Sequence, residues 1–582
     1  MNLQHPVYTE LAKCRDCYKC VRHCPVKAIR VEKDRAAVIP EECIACGHCV
    51  AVCPVGAKRV RSDLARVRRL LRDAGGPVVA SLAPSYAAEF PGVPAPVLIQ
   101  ALKRLGFAGV SETALGAQDV SAAVAVELRD PTPRVLLSSA CPAVVELVLK
   151  HAPQHAERIT SLCSPLLAHC RRLKREISAD TRIVFIGPCI AKKLEADAHP
   201  DLLEAALTFA DLREWLEAEQ ILLDDLTPAA AAAFIPRAAE EGALYPVDGG
   251  MIAGIRAGCA CTDAEFMTFS GLDTLREALA ELGAMPLQRP LFLELLACAG
   301  GCINGPCVRT RGATVLKRHR VLEQAPRPAA AVPRPAELDV FLPRRAAVPA
   351  GLPPEPHSRA VADALAAVGK YRAEDELNCG GCGYAGCRDF AAAMAAQKAE
   401  KAMCVSYMRK LAQKKANALI KAMPSGVVIA DDTLNVVECN RRFAGLLGDD
   451  ALRDFDARPG LEGAPLAGIA PFLLPYFTHV LRGGEDVLRR NARHAGRVFQ
   501  FSVFTVEKAR IAGAILRDIT EPAVQKEQVV RQARAVIRKN LATVQKIAYL
   551  LGENAAESQA SLNDIITSFA PEPEAPEDNA TE

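Results

Sequence analysis

The sequence predicts a multidomain chain of α/β and α+β parts in tandem rather than one large core. Three observations carry this. A cysteine run is duplicated near the start. Short apolar strands then alternate with amphipathic helices to about residue 322. A Pro/Ala-rich stretch separates them from another cysteine run and a strand–turn–strand–helix pattern. At 582 residues, three or four domains are expected. A net charge of +3 leaves no nucleic-acid footprint. No apolar run reaches the roughly 18 residues of a membrane span, and the opening "MNLQHPVYTE" has no apolar signal core. Twenty-two cysteines in C-x-x-C spacings favour metal binding in a reducing cytoplasm over disulfides.

Residues 1–62 hold Cys14, Cys17, Cys20, Cys24 and Pro25, then Cys43, Cys46, Cys49, Cys53 and Pro54. Both runs read C-x2-C-x2-C-x3-C-P, the spacing of bacterial two-cluster 4Fe–4S ferredoxins. In modules of that kind the fourth cysteine crosses over. The resemblance therefore implies one set of Cys14, Cys17, Cys20 and Cys53, and another of Cys43, Cys46, Cys49 and Cys24. A ferredoxin-like, electron-transferring module is expected.

Residues 63–322 open on a helical pattern with Leu64, Val67, Leu70 and Leu71 on one face. Strands such as "VLLSSA" and "RIVFIGP" alternate with helices such as "PAVVELVLKHA", an α/β pattern. Four cysteines follow strand ends, where such sheets place ligands: Cys141, Cys189, Cys298 and Cys302, beside or near Pro and Gly. Their segments, "LLSSACPAVVEL", "VFIGPCIAKKLEAD" and "ELLACAGGCINGPC", resemble in order the signature motifs of FeFe hydrogenases, and Ala83-Pro84-Ser85 resembles a further loop of that family. The resemblance implies an H-cluster, a 4Fe–4S cubane joined to a diiron centre with CO and CN ligands. It would be held by the four cysteines, with Lys192 donating to a cyanide, Glu294 in the third motif, and Ala83, Pro84 and Ser85 against the diiron site. "PVDGG" (Asp248, Gly249, Gly250) resembles another glycine-rich family loop.

Departures from the family pattern set the expected subtype. Ala140 stands where a proton-relaying cysteine usually precedes the first ligand; Gly187 and Leu296 stand where methionines are usual; Ala123 and Val124 stand at a proton-conducting glutamate pair, with only Glu127 kept. Alanine has no transferable proton. The pattern is similar to the sensory branch of the family, which carries a PAS domain. Cys163, Cys170, Cys259, Cys261 and Cys307 read as small buried hydrophobes, with Cys259 and Cys261 open to a cluster or redox role. His151, His155 and His169 read as packing or surface residues.

Residues 323–368 read as a Pro/Ala-rich linker able to pack along the preceding domain. Residues 369–410 place Cys379, Cys382, Cys387 and Cys404 in C-x2-C-x4-C-x16-C spacing, resembling a small 4Fe–4S domain, with Cys404 expected within a helix. Residues 415–520 resemble a PAS domain, with Asn440 opening a helix and Asp518-Ile519-Thr520 closing the pattern; Cys439, His479 and His494 have mundane roles. In 521–569, Val530, Ile537, Val544 and Leu551 recur every seven residues, with Ala533 and Ile547 between some of them, as in a coiled-coil or docking helix. Residues 570–582 read as a disordered acidic tail.

The function expected is a slow, sensory FeFe hydrogenase, cytoplasmic, that relays redox state through three accessory 4Fe–4S clusters to the PAS domain. Its partners would be H2 or redox donors and acceptors and a separate kinase or phosphatase, with homodimerisation open. The alternatives are a metabolic hydrogenase modulated by its PAS domain, and a non-enzymatic electron-transfer protein without the diiron subsite.

Overall fold

The computed structural model describes residues 4–73, 75–227, 232–258, 263–283, 285–325, 339–342 and 358–551. They form two compact units, Met1–Met408 and Arg409–Glu582.

In the first unit the duplicated cysteine run folds as a duplicated structure. Val7–Thr9 pairs antiparallel with Lys58–Val60, and Ile29–Glu32 with Arg35–Val38. Left-handed backbone recurs at matching places, Asp16 with Ala45 and Tyr18 with Gly47. Only Gly adopts that conformation freely. At Gly47 there is a second demand: a Cβ would come within 2.5 Å of Pro306 and 2.7 Å of Ile190, so the loop seats directly on the following domain.

That domain is built on two parallel sheets. One has the order Gly109–Glu112, Val78–Leu82, Arg182–Gly187, Ala205–Thr208; the other Glu265–Ser270, Leu291–Leu296, Val135–Leu137. Strands such as Val78–Leu82 and Leu291–Leu296 are buried along their whole length, which explains their near-continuous apolar composition. The helix Ala114–Glu127 is buried through Ala125. It crosses Pro165–Glu176 so closely that a Cβ on Gly116 would stand 2.1 Å from the Pro165 carbonyl. Beneath the crossing, His169 is enclosed, bonded at Nδ1 to Ser81 Oγ and at Nε2 to Ser111 Oγ, both at 2.8 Å. Burial holds its pKa down at about 3. It is a satisfied, neutral core histidine.

The stretch expected to be a linker is shorter than the sequence suggests. Thr314–Gln324 and Ser358–Ala367 are helices, and the latter packs on Cys387–Ala395 through Leu365, Cys387 and Ala391. Residues 339–342 lie along the hydrogenase-like domain, where Cys163 N donates to Val340 O at 2.7 Å. The remainder of 326–357 lies outside the described residues. Cys404 is likewise not inside a helix. It has extended backbone and immediately precedes Val405–Ala422, and its carbonyl accepts from Met408 N at 2.9 Å.

The second unit contains an antiparallel five-stranded sheet in the order Val436–Cys439, Gly426–Asp431, Ile511–Asp518, Arg497–Glu507, Val487–His494. Its interior is filled by Phe443, Phe477, Phe499 and Phe501. Asn440 caps the helix Arg441–Leu447, accepting from Phe443 N, and its amide donates to Ile420 O and Ser425 O at 2.9 and 3.0 Å. The helix Thr520–Leu551 follows the sheet; Ile537 is buried on it and Val529 and Val536 are exposed. The side chains of Val544, Ile547 and Leu551, and residues 552–582, lie outside the described residues.

The ferredoxin-like module is tied to the sheet domain by a buried ion network. Lys193, wholly inaccessible, donates to Asp63 Oδ2 at 2.9 Å and to Ala206 O at 2.6 Å, and lies 3.5 Å from Asp211. Arg61 bridges Asp63 and Asp197 at 3.0 and 2.8 Å. Removing one partner of such a network strands the others without compensation, at a cost of about 3–5 kcal/mol. Lys193→Ala should destabilise the first unit by that order in urea denaturation followed at Trp215, the only tryptophan of the chain. A change under ~1 kcal/mol would contradict this account of the network.

Candidate functional site

The three strands that end nearest one another deliver the candidate ligands. Cys141 follows Val135–Leu137 and precedes the helix Pro142–His151; Cys189 follows Arg182–Gly187; Cys298 follows Leu291–Leu296; Cys302 opens a short 3-10 turn. All four line one cavity with Pro188, Leu296, Ala297, Gly305 and Pro306. Burial pushes the Cys189 thiol up to about 11, reinforced by Cys141. Burial raises Cys298 and Cys302 further, and the neighbouring thiolates add to the shift. Four buried thiolates would repel one another unless a cationic centre offsets their charge, which is the chemistry of a cluster site. Among the described residues no three His, Cys, Asp or Glu side chains converge tightly enough to chelate one ion. Four cysteine thiolates match the ligand demand of one 4Fe–4S cubane.

The neighbours fit a further group beside the cubane. Ser85 is buried and its Oγ has no hydrogen-bond partner among the described residues. Such a hydroxyl is costly unless a ligand receives it. Ala83 is buried beside it, and Ala83 N donates to Ile186 O at 2.9 Å, locking the Ala83-Pro84-Ser85 loop to the Cys189 strand. Lys192 is buried, with Nζ on Glu195 at 2.6 Å and Ser164 at 3.1 Å. Burial disfavours its charge, but Glu195 and the thiolates of Cys189 and Cys141 outweigh that and hold its pKa above the ordinary value. A buried ammonium therefore acts on the Cys189 and Cys141 thiolates.

The departures from the family pattern have packing reasons. A Cβ at Gly187 would stand 2.4 Å from the Phe185 ring and 2.8 Å from Ala83 Cβ, so this neighbourhood excludes any side chain there. Ala140 packs against a cluster containing Ala123, Val124, Leu136, Leu162 and Met251. Ala140, Ala123 and Val124 are thus apolar where the family resemblance implies a proton route, while the Ser138 hydroxyl beside them accepts from Ala140 N at 3.2 Å.

Glu294 acts through a helix. Its carboxylate accepts from Met251 N at 3.2 Å, Ile252 N at 3.4 Å and Thr268 Oγ1 at 3.1 Å, fixing the first turn of Gly250–Gly258. Met251 in turn receives the Ser138 hydroxyl at 3.1 Å, two residues before Ala140. Met251 and Ser138 carried no sequence signal, because the contact spans 113 residues. In the glycine-rich loop, Asp248 pairs with Arg318 and Gly249 is left-handed.

The accessory cysteines fall into sets. Burial lifts Cys46 to about 12, with Cys24 and Cys43 the neighbouring thiolates, while Cys20 is lifted to about 11 beside Cys14 and Cys17. Cys24 is among the charges that act on Cys43, Cys46 and Cys49. Ala28 N donates to Cys24 Sγ at 3.3 Å and Ala57 N to Cys53 Sγ at 3.2 Å, equivalent bonds in the two repeats. Cys46 also lines the Cys141/Cys189/Cys298/Cys302 cavity, so one ferredoxin-like site abuts it. Cys382 is flanked by Cys379 and Cys404, and Cys387 Sγ accepts from Asn378 N at 3.4 Å. Cys163, Cys170, Cys307 and Cys439 are buried in apolar cores. Cys259 and Cys261 lie outside the described residues.

Comparison with known proteins agrees with this arrangement. Residues 76–306 match the family model of the iron-only hydrogenase large subunit, C-terminal domain; residues 6–54 match a 4Fe-4S dicluster domain, 375–406 an Fe-S cluster domain and 415–487 a PAS domain. Iron hydrogenase 1 of Clostridium pasteurianum is 26% identical over 252 residues, 35% of this chain and 44% of that relative, so the chain spans less than half of that relative's length. A FeFe-hydrogenase variant from Chlamydomonas reinhardtii is similar over 53% of this chain and 95% of its own, at 18% identity and a TM-score of 0.36. A structure concerned with stepwise H-cluster assembly is similar over 45% and 88%, at 18% identity and a TM-score of 0.37. At those scores the structural likeness carries no weight in the assignment.

Glu294 also makes a measurable pH prediction. Burial lifts its carboxyl to about 7, against an ordinary 4.5. Between those values the folded chain holds a proton that the unfolded chain has lost, so stability falls as pH rises through the window. At about 1.4 kcal/mol per pH unit the loss is on the order of 3 kcal/mol. Urea denaturation of Glu294→Gln between about pH 5.5 and 7 should be flatter than that of the wild type; parallel curves would contradict a protonated Glu294.

With the cysteine cavity, its neighbours and the sequence matches in agreement, residues 76–306 form a domain of the iron-only hydrogenase large-subunit type, joined in one polypeptide to a 4Fe–4S dicluster module, a further Fe–S domain and a PAS domain.

Proposed function

We propose that this chain is a sensory FeFe hydrogenase that reacts slowly with H2 and passes redox state to its PAS domain. The observation that carries the reading is the pairing of a complete cysteine cavity with an apolar wall of Ala140, Ala123 and Val124. The cysteines would hold the cofactor, yet Ala140, Ala123 and Val124, at the positions of the family's usual proton route, hold no transferable proton.

When bound, the H-cluster supplies heterolytic cleavage of H2. Cys141, Cys189, Cys298 and Cys302 would hold it. Lys192, kept charged by Glu195, would donate to an anionic ligand, and the partnerless Ser85 hydroxyl would do the same from the opposite loop. Glu294 would keep the Gly250–Gly258 turn against Ser138. Electrons would leave through the Cys24/Cys43/Cys46/Cys49 site, because Cys46 shares the cavity wall. Gain of an electron changes a cluster's charge by one unit, an effect strongest where water is excluded. Cys404 directly precedes the helix Val405–Ala422, and Asn440 holds the carbonyl of Ile420 in that helix's last turn. A charge change at Cys404 would bias that helix, the two-state element of the switch. Output would pass to a separate kinase or phosphatase through the PAS domain and Thr520–Leu551, in the cytoplasm. Among the described residues no helix is long and apolar enough to cross a membrane.

Four cubanes and a diiron centre give about eighteen irons. Anaerobically matured protein should carry near that number, show CO and CN infrared bands, and lose about four irons on Cys379→Ser. It should oxidise H2 roughly 10²- to 10⁴-fold more slowly than a metabolic member of the family, the size of a missing acid–base group. Ala140→Cys alone should not restore the rate, since Ala123, Val124, Gly187 and Leu296 remain. Wild-type turnover equal to that of a metabolic enzyme would overturn the sensory reading, and absence of the infrared bands would leave an electron carrier.

A further inference from the structure

The fourth cluster site does not stand at the end of the ferredoxin-like module. Its loop packs on the segment Cys20–Cys24. Gly383 is left-handed, and a Cβ there would stand 3.2 Å from both Arg22 N and Val21 Cγ1. At the centre of the contact is Lys27. Its ammonium donates to Gly383 O at 2.9 Å, Val21 O at 3.0 Å and Arg22 O at 3.2 Å, so all three protons are used on two cluster loops. It also lies 5.8 Å from the centroid of the Tyr384 ring. The thiolates acting on it are Cys24 and Cys382, one from each site; Arg276 and Asp389 are the other charges it feels. Lys27 itself has left-handed backbone, φ 51°, a conformation that is unfavourable for a non-glycine residue and persists where the surroundings enforce it.

Cys24 belongs to the same set as Cys46, whose side chain lines the candidate H-cluster cavity. The central site therefore touches both the hydrogenase-like cavity and the fourth-cluster loop. We propose that Lys27 is a positioning residue that clamps the Cys379/Cys382/Cys387/Cys404 cluster onto the Cys24/Cys43/Cys46/Cys49 cluster. This creates an electron branch to the PAS side that bypasses the Cys14/Cys17/Cys20/Cys53 cluster. In the step, the central cluster is oxidised by one electron and the fourth is reduced by one; no bond forms and no proton moves. The ammonium also offsets the like charges of two reduced clusters held side by side. The inference rests on the cluster content proposed above and not on the H2 chemistry.

Other contacts would keep the domains docked without Lys27. Val31 N donates to Lys398 O at 2.9 Å, Lys398 pairs with Glu42 at 2.6 Å, and Arg22 reaches Gly381 O at 3.2 Å. Lys27→Met should thus keep full iron and an unchanged Cys14/Cys17/Cys20/Cys53 signal.

The test is electron paramagnetic resonance of the full chain reduced with dithionite, which needs no diiron centre. Wild type should show magnetic interaction between the central and fourth clusters. Lys27→Met should lose that splitting, lower the fourth cluster's potential and slow its freeze-quenched reduction at least tenfold, and Lys27→Arg should retain the wild-type behaviour. Cys17→Ser, which removes the distal cluster, should leave the splitting in place. An unchanged splitting and rate in Lys27→Met, or their loss in Cys17→Ser with the other clusters intact, would overturn the proposal. Wild type with no fourth-cluster signal or iron would instead overturn the cluster reading beneath it.

Discussion

Sulfur charge held away from water is the constraint from which the rest of this structure follows. Each thiolate set is buried to different degrees, and burial alone drives most of these thiols toward protonation. A fold that gathers such groups is stable as a thiolate site only with a compensating centre. The parallel sheets serve that need. Cys141, Cys189 and Cys298 follow the ends of three strands drawn from the two sheets, and so reach one cavity from different parts of the chain. Gly47 lets the ferredoxin-like loop touch Pro306, bringing Cys46 to the same cavity. The buried network of Lys193, Asp63, Arg61 and Asp197 then holds the two domains in that register.

The same constraint separates holding a cofactor from turning it over. The four cysteines line the cavity, Lys192 pairs with Glu195, and the Ser85 hydroxyl is buried without a partner among the described residues. Ala140 packs against Leu162 and Met251, side chains that carry no transferable proton. In the proposed reading, binding intact with proton supply reduced suits detection better than flux. Cys404 at the entrance of Val405–Ala422, and Asn440 gripping Ile420, are the two points through which a charge change could become a helix movement.

What could be read from the sequence was local chemistry. The C-x2-C-x2-C-x3-C-P repeat and the C-x2-C-x4-C run are codes of ligand spacing, legible without a fold. The four separated cysteines were legible only by resemblance, because strands from distant segments assemble them. Tertiary packing hid the rest. Nothing in the sequence ties Ser138 to Met251, or lets Phe185 explain Gly187. The Pro/Ala composition around 323–368 masked Ser358–Ala367, a helix stabilised by packing on Cys387–Ala395 rather than by its own pattern. The helical run around Cys404 concealed a break at the ligand itself.

If the helix Val405–Ala422 reads the charge of the cluster beside Cys404, its hydrogen exchange depends on redox state. Under H2 and under an oxidant, with the clusters shown to be reduced and oxidised, exchange should differ in residues 405–425 and again in 525–555, and Cys404→Ser should abolish the difference while the CO and CN infrared bands remain. Identical exchange in both segments would contradict the claim and leave the PAS domain independent of this cluster.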